Sequence, residues 1–293
     1  MSRDPGGDHR PDLADPAAAR ALVADDRVLR FTRGLSLFIA PFLIVAFVIL
    51  YLFPGETRQL WAWTIRPTMT PMVLGAAYAG GAYFFIRALS ERRWSALKSG
   101  FLAVAMFATL LGIATVLHWD RFNHGHPAFW LWAFLYFTAP FLVVAAWVRN
   151  RRYEAPPRPE EDRLGPVARW TVGVVGVGAL AQGVVMFVAP AVMIPVWPWL
   201  LTPLTCRVMG AIFCLGSAGI WVFLDPRWTT VRLMLQVEVI MISLILVAAA
   251  RARSELATDR PLTWLVLGGF ALVLAGSVAL WIAHERNGRM PAR

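Results

Sequence analysis

Eight separate runs of about twenty apolar residues run through this chain, each of the length that carries an α-helix across a hydrocarbon core. They occupy residues 34–53, 69–89, 101–117, 128–148, 167–189, 204–224, 231–250 and 262–283. In lipid no water is available to satisfy backbone N–H and C=O groups, so such runs must close their own hydrogen bonds as helices. The expected fold is therefore an all-α integral membrane protein with eight transmembrane helices. Composition agrees: the chain is 58% hydrophobic and 16% charged, with a mean hydropathy of +0.57, which excludes an ordinary soluble domain.

The chain also repeats itself. Trp61-Ala-Trp63 with Pro67 and Gly75 is answered by Trp197-Pro-Trp199 with Pro203 and Gly210. Arg33 matches Arg169 and Pro54 matches Pro190 at the same spacing. The spacing shortens by one residue at Gly75/Gly210 and by one more at Arg93-Trp94/Arg227-Trp228, and then holds through Pro127/Pro261, Trp130/Trp264 and Trp147/Trp281. Matches with two small, monotonic changes of spacing indicate internal duplication. Four helices per copy is an even number, so the copies enter the membrane from the same side, as parallel 4+4 repeats about an axis along the membrane normal.

On this reading residues 1–30 form a polar, disordered segment, 31–148 the first four-helix repeat, 149–166 a Pro- and charge-rich linker, 167–284 the second repeat, and 285–293 a tail. The net charge of +10 is spread between the apolar runs rather than along one stripe, which excludes a nucleic-acid partner. Three of every four of the 28 basic residues fall beside the termini and the 2–3, 4–5 and 6–7 connections. By the positive-inside rule that side is cytoplasmic, and both termini with it. All basic residues but Lys98 are Arg, which suggests a high-GC bacterium and hence the inner membrane. The first apolar run follows a long polar stretch without a small-residue cleavage site, so it reads as a retained span.

Five groups are candidate sites. Trp61, Trp63 and Pro67, with Trp197, Trp199 and Pro203, read first as interfacial anchors at headgroup level, and second as paired segments lining an outer vestibule. Gly75, Ala79 and Gly80 on helix 2, and Gly210 and Cys214 on helix 6, have the four-residue spacing of small residues that lets helix backbones approach. Their matched positions predict that helices 2 and 6 face each other there. Gly173, Gly176 and Gly178 read as a packing surface of helix 5, since the order of a dinucleotide loop is missing. His118, Asp120, His124 and His126 offer ligands for a divalent metal at a spacing that matches no established site; the plainer reading is a polar loop closed by Pro127 at the start of helix 4. Glu238 lies within a span where its counterpart is Val104; with Ser217 and Ser277 placed at similar depth, it marks a candidate transport path.

Cys206 and Cys214 share one helix roughly 12 Å apart, too far for a disulfide. No nucleophile–base grouping, phosphate loop or haem-type His pair occurs, so no enzyme activity and no organic cofactor is expected. The expected function is a small-solute or ion transporter or channel with a path between the repeats. The alternative is a non-transporting scaffold or outer-face sensor. Expected partners are the lipid bilayer and a second copy or another membrane protein.

Overall fold

The computed structural model describes residues 25–157 and 161–287. Among these the regular secondary structure is helical apart from two isolated β-bridges. Eight helices are long and apolar enough to span a membrane: α1 (Arg30–Leu52), α2 (Met69–Ser90), α3 (Lys98–Leu117), α4 (Pro127–Tyr153), α5 (Pro166–Val188), α6 (Pro203–Phe223), α7 (Trp228–Arg251) and α8 (Pro261–Arg286). Each contains, to within a few residues, one apolar run of the sequence. Pro stands in the first turn of α4, α5 and α6, where a missing N–H costs nothing. Pro41 and Pro140, by contrast, sit inside α1 and α4, and helix continues through both.

The helices pair as neighbours in sequence, α1 with α2, α3 with α4, α5 with α6 and α7 with α8. Two long-range contacts tie the pairs together, α7 against α2 and α3 against α6. Thus α2, with 67% of its most apolar stretch buried, lies at the centre, whereas α8, at 6%, lies at the rim. Large apolar side chains face outward around that rim, among them Phe141, Val167 and Leu272 at 74%, 82% and 76% exposure. An apolar surface of this extent around eight spanning-length helices fits a lipid surround.

The glycines decide which helices touch. A β-carbon on Gly183 would lie 2.6 Å from the Gly210 carbonyl oxygen, and one on Gly176 would lie 2.8 Å from that of Gly216. Gly173 is covered by the Phe223 ring and Gly219 approaches the Val172 carbonyl, so α5 and α6 meet backbone to backbone along most of their length. Helix α6 loosens into 3₁₀ turns at Cys214–Gly216 and Trp221–Phe223 along this seam. Gly75 packs on Leu50 and Tyr51 of α1, where α1 becomes a π-helix over Val48–Leu52, and Gly80 packs on Val237 of α7. The expected crossing of helices 2 and 6 at their glycines is therefore corrected. Gly75 and Gly210 each serve the preceding helix, and the contact between α2 and α6 is slight. Sequence spacing marks a close-packing face but not the partner that meets it. Helix 5 packs through Gly173 and Gly176 as expected, while Gly178 faces open space.

Sequence-matched residues make matching bonds. Antiparallel bridges join Arg27 to Arg93 and Arg163 to Arg227. The Trp94 N–H donates to Asp26 O at 2.7 Å and the Trp228 N–H to Asp162 O at 2.8 Å. Asn123 N–H donates to Ala62 O and Ala257 N–H to Pro198 O, at 2.8 and 2.7 Å. The Arg33 guanidinium holds the Leu89 and Glu91 carbonyls at the end of α2, and Arg169 holds the Phe223 carbonyl at the end of α6.

Most of the segment expected to be disordered, and the last residues of the tail, lie outside the described residues. Residues 25–29 do not fit that expectation. Asp26 is buried, with its carboxylate accepting from the Ser95 N–H at 2.9 Å and the Ser95 hydroxyl at 2.6 Å. Its pKa is raised by desolvation, which the two Ser95 bonds partly offset.

Gly210→Ala should destabilise the protein by about 1–3 kcal/mol, because its methyl meets the Gly183 carbonyl and neither backbone can yield. Gly276→Ala, with nothing within 4 Å, should be neutral or slightly stabilising through helix propensity. Thermal unfolding in detergent separates the two; equal midpoints would remove the backbone seam from the account.

Candidate functional site

The two Trp-x-Trp segments fold inward. Trp61, Trp63, Trp197 and Trp199 are each at most 8% exposed, so the reading as headgroup anchors is corrected. Trp61 and Trp63 pack edge-on against Trp132 of α4 at 5.7 and 4.8 Å, and Trp63 also meets Phe122 at 5.0 Å. Trp197 packs on Trp199 and Phe213. The Trp199 indole N–H donates to the Thr70 hydroxyl of α2 at 2.9 Å, joining one segment to the helix that follows the other. An anchor needs its N–H in the headgroup layer; those of Trp61, Trp63 and Trp197 are buried without an acceptor among the described residues.

Beyond the tryptophans the two segments converge on a hollow of about 520 Å³, lined by Ile65, Arg66, Pro67 and Thr68 from one and Leu200, Leu201 and Thr202 from the other. Glu255, from the 7–8 connection, closes it. Its carboxylate accepts from the Thr68 N–H and hydroxyl at 3.0 and 2.8 Å and from the Met69 N–H at 2.8 Å, capping the positive end of α2. Pro203 is adjacent, at the first turn of α6 behind a Thr202–Thr205 capping box.

The histidine loop is not assembled around a common point. His118 Nε2 lies 2.8 Å from Arg207 Nη1 on α6; the guanidinium can only donate, so that nitrogen accepts. Burial and the Arg207 charge lower the His118 pKa below its ordinary value. His126 Nδ1 accepts from the Ala128 N–H at 3.1 Å and caps α4, the plainer of the two readings for this loop. The His124 ring packs edge-on against Phe129 at 4.6 Å, and Asp120 pairs with Arg121 at 3.2 Å on the surface. Among the described residues no group of three His, Cys, Asp or Glu side chains is placed to hold a metal.

Glu238 lines a cavity of about 720 Å³ to which all eight helices contribute. It lies ten residues into α7, roughly 15 Å along the helix at 1.5 Å per residue, or about half the ~30 Å of a hydrocarbon core. Ser277 of α8 donates to its Oε2 at 2.8 Å, and no ion pair reaches it among the described residues. Val104 and Val143, the counterparts of Glu238 and Ser277, line the same space. So do Tyr78 and Tyr136, whose hydroxyls share a hydrogen bond at 2.7 Å. Ser217, grouped with Glu238 by depth, does not line the cavity. The packing residues Ala79, Gly80 and Cys214 also lie outside its wall; Cys214 sits against Gly183.

At the opposite end from the Trp segments, on the face that carries the linker, is a charge network that sequence reasoning missed. Lys98, 4% exposed, donates to Asp225 Oδ2 at 2.6 Å and to Glu154 of the linker. Arg227 binds both Asp225 oxygens through Nε, and Nη2 adds a bond of 2.6 Å to Oδ2. Arg227 and Arg93 both reach Glu161, at 3.4 and 3.1 Å, so two linker carboxylates are pinned to the helix ends. Burial alone would raise the Asp225 pKa; the bonds from Arg227 and Lys98 outweigh it and hold the carboxyl well below the usual carboxylate range. The available signal was that Lys98, the chain's single lysine, and Asp225 stand at the same-side 2–3 and 6–7 connections.

No family profile, curated protein or solved structure matches the chain.

Asp225→Asn would leave Lys98 and Arg227 as buried cations without their shared counter-ion, and should cost about 3–5 kcal/mol in thermal unfolding. The lowered folded pKa gives stability that is fully present above the unfolded value near pH 4 and is lost as pH falls through the folded one. The parent should therefore keep this contribution at about pH 5. Removing the exposed Asp120–Arg121 pair should change nothing measurable; equal effects of the two changes would show that the network does not hold the fold.

Proposed function

We propose that this multi-pass membrane protein moves a small solute along a path through the central cavity, with Glu238 as the group on that path that binds and releases a proton. The observation that carries the reading is a lone carboxyl group, midway along a spanning helix, opening onto a cavity of about 720 Å³. A carboxyl in hydrocarbon is expensive and belongs in cavities and conduction paths when no counter-ion packs against it. We further read the eight helices as two parallel four-helix repeats; the matched bridges and hydrogen bonds at Arg27/Arg163, Trp94/Trp228 and Asn123/Ala257 support this. The cavity then lies between the repeats, as suits transport about an axis normal to the membrane. The reaction is passage rather than chemistry, and the chain acts as no enzyme. The protein resides in a bacterial inner membrane with the linker face and both termini cytoplasmic, following the excess of basic residues there.

Orientation is checked by single cysteines in a background lacking Cys206 and Cys214. One at Arg151 should be shielded from an impermeant thiol reagent in intact cells, and one at Glu56 should be labelled. The reverse pattern inverts the topology.

For transport, dicyclohexylcarbodiimide should modify Glu238 in proteoliposomes. A panel of labelled amphipathic solutes, cationic, neutral and anionic, should include at least one that crosses faster than in empty liposomes, with the gain lost in Glu238→Gln. An unmodified Glu238 together with a panel in which nothing moves would sink the transport reading and leave a non-transporting scaffold or sensor.

A further inference from the structure

The cavity has one charge and many rings. Among the residues that line it, Glu238 is the single one with an ionisable carboxyl or amine, and Ser277 is its one hydrogen-bond partner. Phe42, Phe84, Phe107 and Trp221 face the same space. The other hydroxyls of the wall are already engaged. Thr171 donates to the Val167 carbonyl at 2.9 Å, Thr230 to Asp225 at 3.1 Å, and the Tyr78 and Tyr136 hydroxyls bond each other. The Trp221 indole N–H has no acceptor but is buried away from the space.

We propose, building on the transport reading, that the solute is a lipophilic monovalent cation: an apolar body around one positive centre that carries few hydrogen-bonding groups. Three features select it. First, the Glu238 carboxylate has no cationic partner among the described residues; the buried cations there, Lys98 and Arg227, are engaged by Asp225 at the linker face. A positively charged guest supplies the counter-charge that makes the ionised form affordable in low dielectric. Second, aromatic faces attract a desolvated cation through their quadrupoles, and Phe42, Phe84, Phe107 and Trp221 supply several such faces. Third, the wall has almost no free donors or acceptors. A sugar, amino acid or hydrated metal ion would leave its water shell without replacement, at several kcal/mol per unsatisfied group by transfer data. An anion would meet the carboxylate and find no donor. The volume, about 720 Å³, is that of a site for a drug-sized guest.

A proton and such a cation compete for the same carboxylate, so binding must weaken as pH falls. The other titratable groups at the cavity wall are the phenols of Tyr78 and Tyr136, which stay neutral through this range.

Three probes of similar shape and different charge make the test: tetraphenylphosphonium, triphenylphosphine oxide and tetraphenylborate, each measured by equilibrium binding to the purified full chain in detergent. Tetraphenylphosphonium should bind saturably, with affinity reduced about tenfold or more by Glu238→Gln, equivalent to about 1.4 kcal/mol or more, and largely retained by Glu238→Asp. The neutral oxide should bind more weakly and the anion not at all. In the parent protein, cation affinity should fall as pH is lowered from about 8 to about 5, a readout that stands even if Glu238→Gln fails to fold. If the oxide binds as tightly as the cation, or the parent's cation affinity is independent of pH, the cation proposal is overturned while a solute cavity remains. If none of the three probes binds, the cation proposal is overturned, and the transport reading then stands or falls on the carbodiimide and flux measurements.

Discussion

The fold depends on how closely α5 and α6, and likewise α1 and α2, can approach. Between helices already in lipid the hydrophobic effect offers no drive, so association rests on dispersion contacts, interhelical hydrogen bonds and lipid entropy. At Gly183 and Gly210 the two backbones come near enough that a methyl group would meet a carbonyl oxygen. Along that seam α6 takes its 3₁₀ turns, and Gly216 on the first of them and Gly219 on the α-helical turn that follows line the central space. The α1–α2 pair reaches a similar contact differently, through Gly75 against Tyr51 on a π-helical turn. A π-turn carries one extra residue without ending the helix, and here it coincides with the Tyr51 hydroxyl reaching the Leu244 carbonyl of α7 at 2.8 Å. The pairwise seams therefore also determine how the α1–α2 hairpin meets α7.

The eight spans were legible because apolar length is a direct consequence of bilayer thickness and requires no tertiary information. Helix ends were legible where Pro127, Pro166 and Pro203 open a helix, since a fixed φ and a missing N–H are local properties. The partner of a glycine face was not legible. Gly75-Ala-Ala-Tyr-Ala79-Gly80 offers small residues toward two sides of α2; Gly75 meets α1 and Gly80 meets α7, and periodicity alone cannot distinguish them. The tryptophans failed for a different reason. A Trp near a helix end is usually an interfacial anchor, but Trp61 and Trp63 have Phe122, Trp132 and Tyr78 within ring-contact distance. Those rings come from the 3–4 connection, α4 and α2, and their convergence is a property of the assembled bundle.

The charge network shows the limit of counting charges by side. Lys98, Arg93 and Arg227 all contribute to the basic excess at one face, and that arithmetic treats them as independent. In the folded chain they are bound to Asp225, Glu154 and Glu161, so the same residues also fix the linker and the ends of α3 and α7. A lysine suits the central place. Its compact ammonium bridges two carboxylates from different elements, while the planar Arg227 guanidinium engages Asp225 with two nitrogens. Lys98 also lies 5.7 Å from the Trp221 ring, which itself faces the cavity. The ion network and the central space therefore meet at Trp221.

The polar groups of the cavity are distributed unevenly. Where one half has Glu238 and Ser277, the other has Val104 and Val143. Where the first has Tyr78 and Tyr136 in hydrogen-bond contact, the second has Phe213 and Phe270, stacked at 6.0 Å. Each polar pair spans two helices, and at the sequence-matched positions both members are apolar together. That is the pattern expected when a buried hydroxyl or carboxyl cannot be left without its partner, because an unmet group costs more than either matched state. Two apolar pairs or two polar pairs would both be stable, and the chain has one of each at both sites. The cavity is therefore polar in two separate places: the carboxyl sits on the α7–α8 side and the phenols on the α2–α4 side. A guest with one charged centre then has one orientation in which that centre meets Glu238, where a duplicated pair of carboxylates would have offered two and would have repelled each other across the cavity.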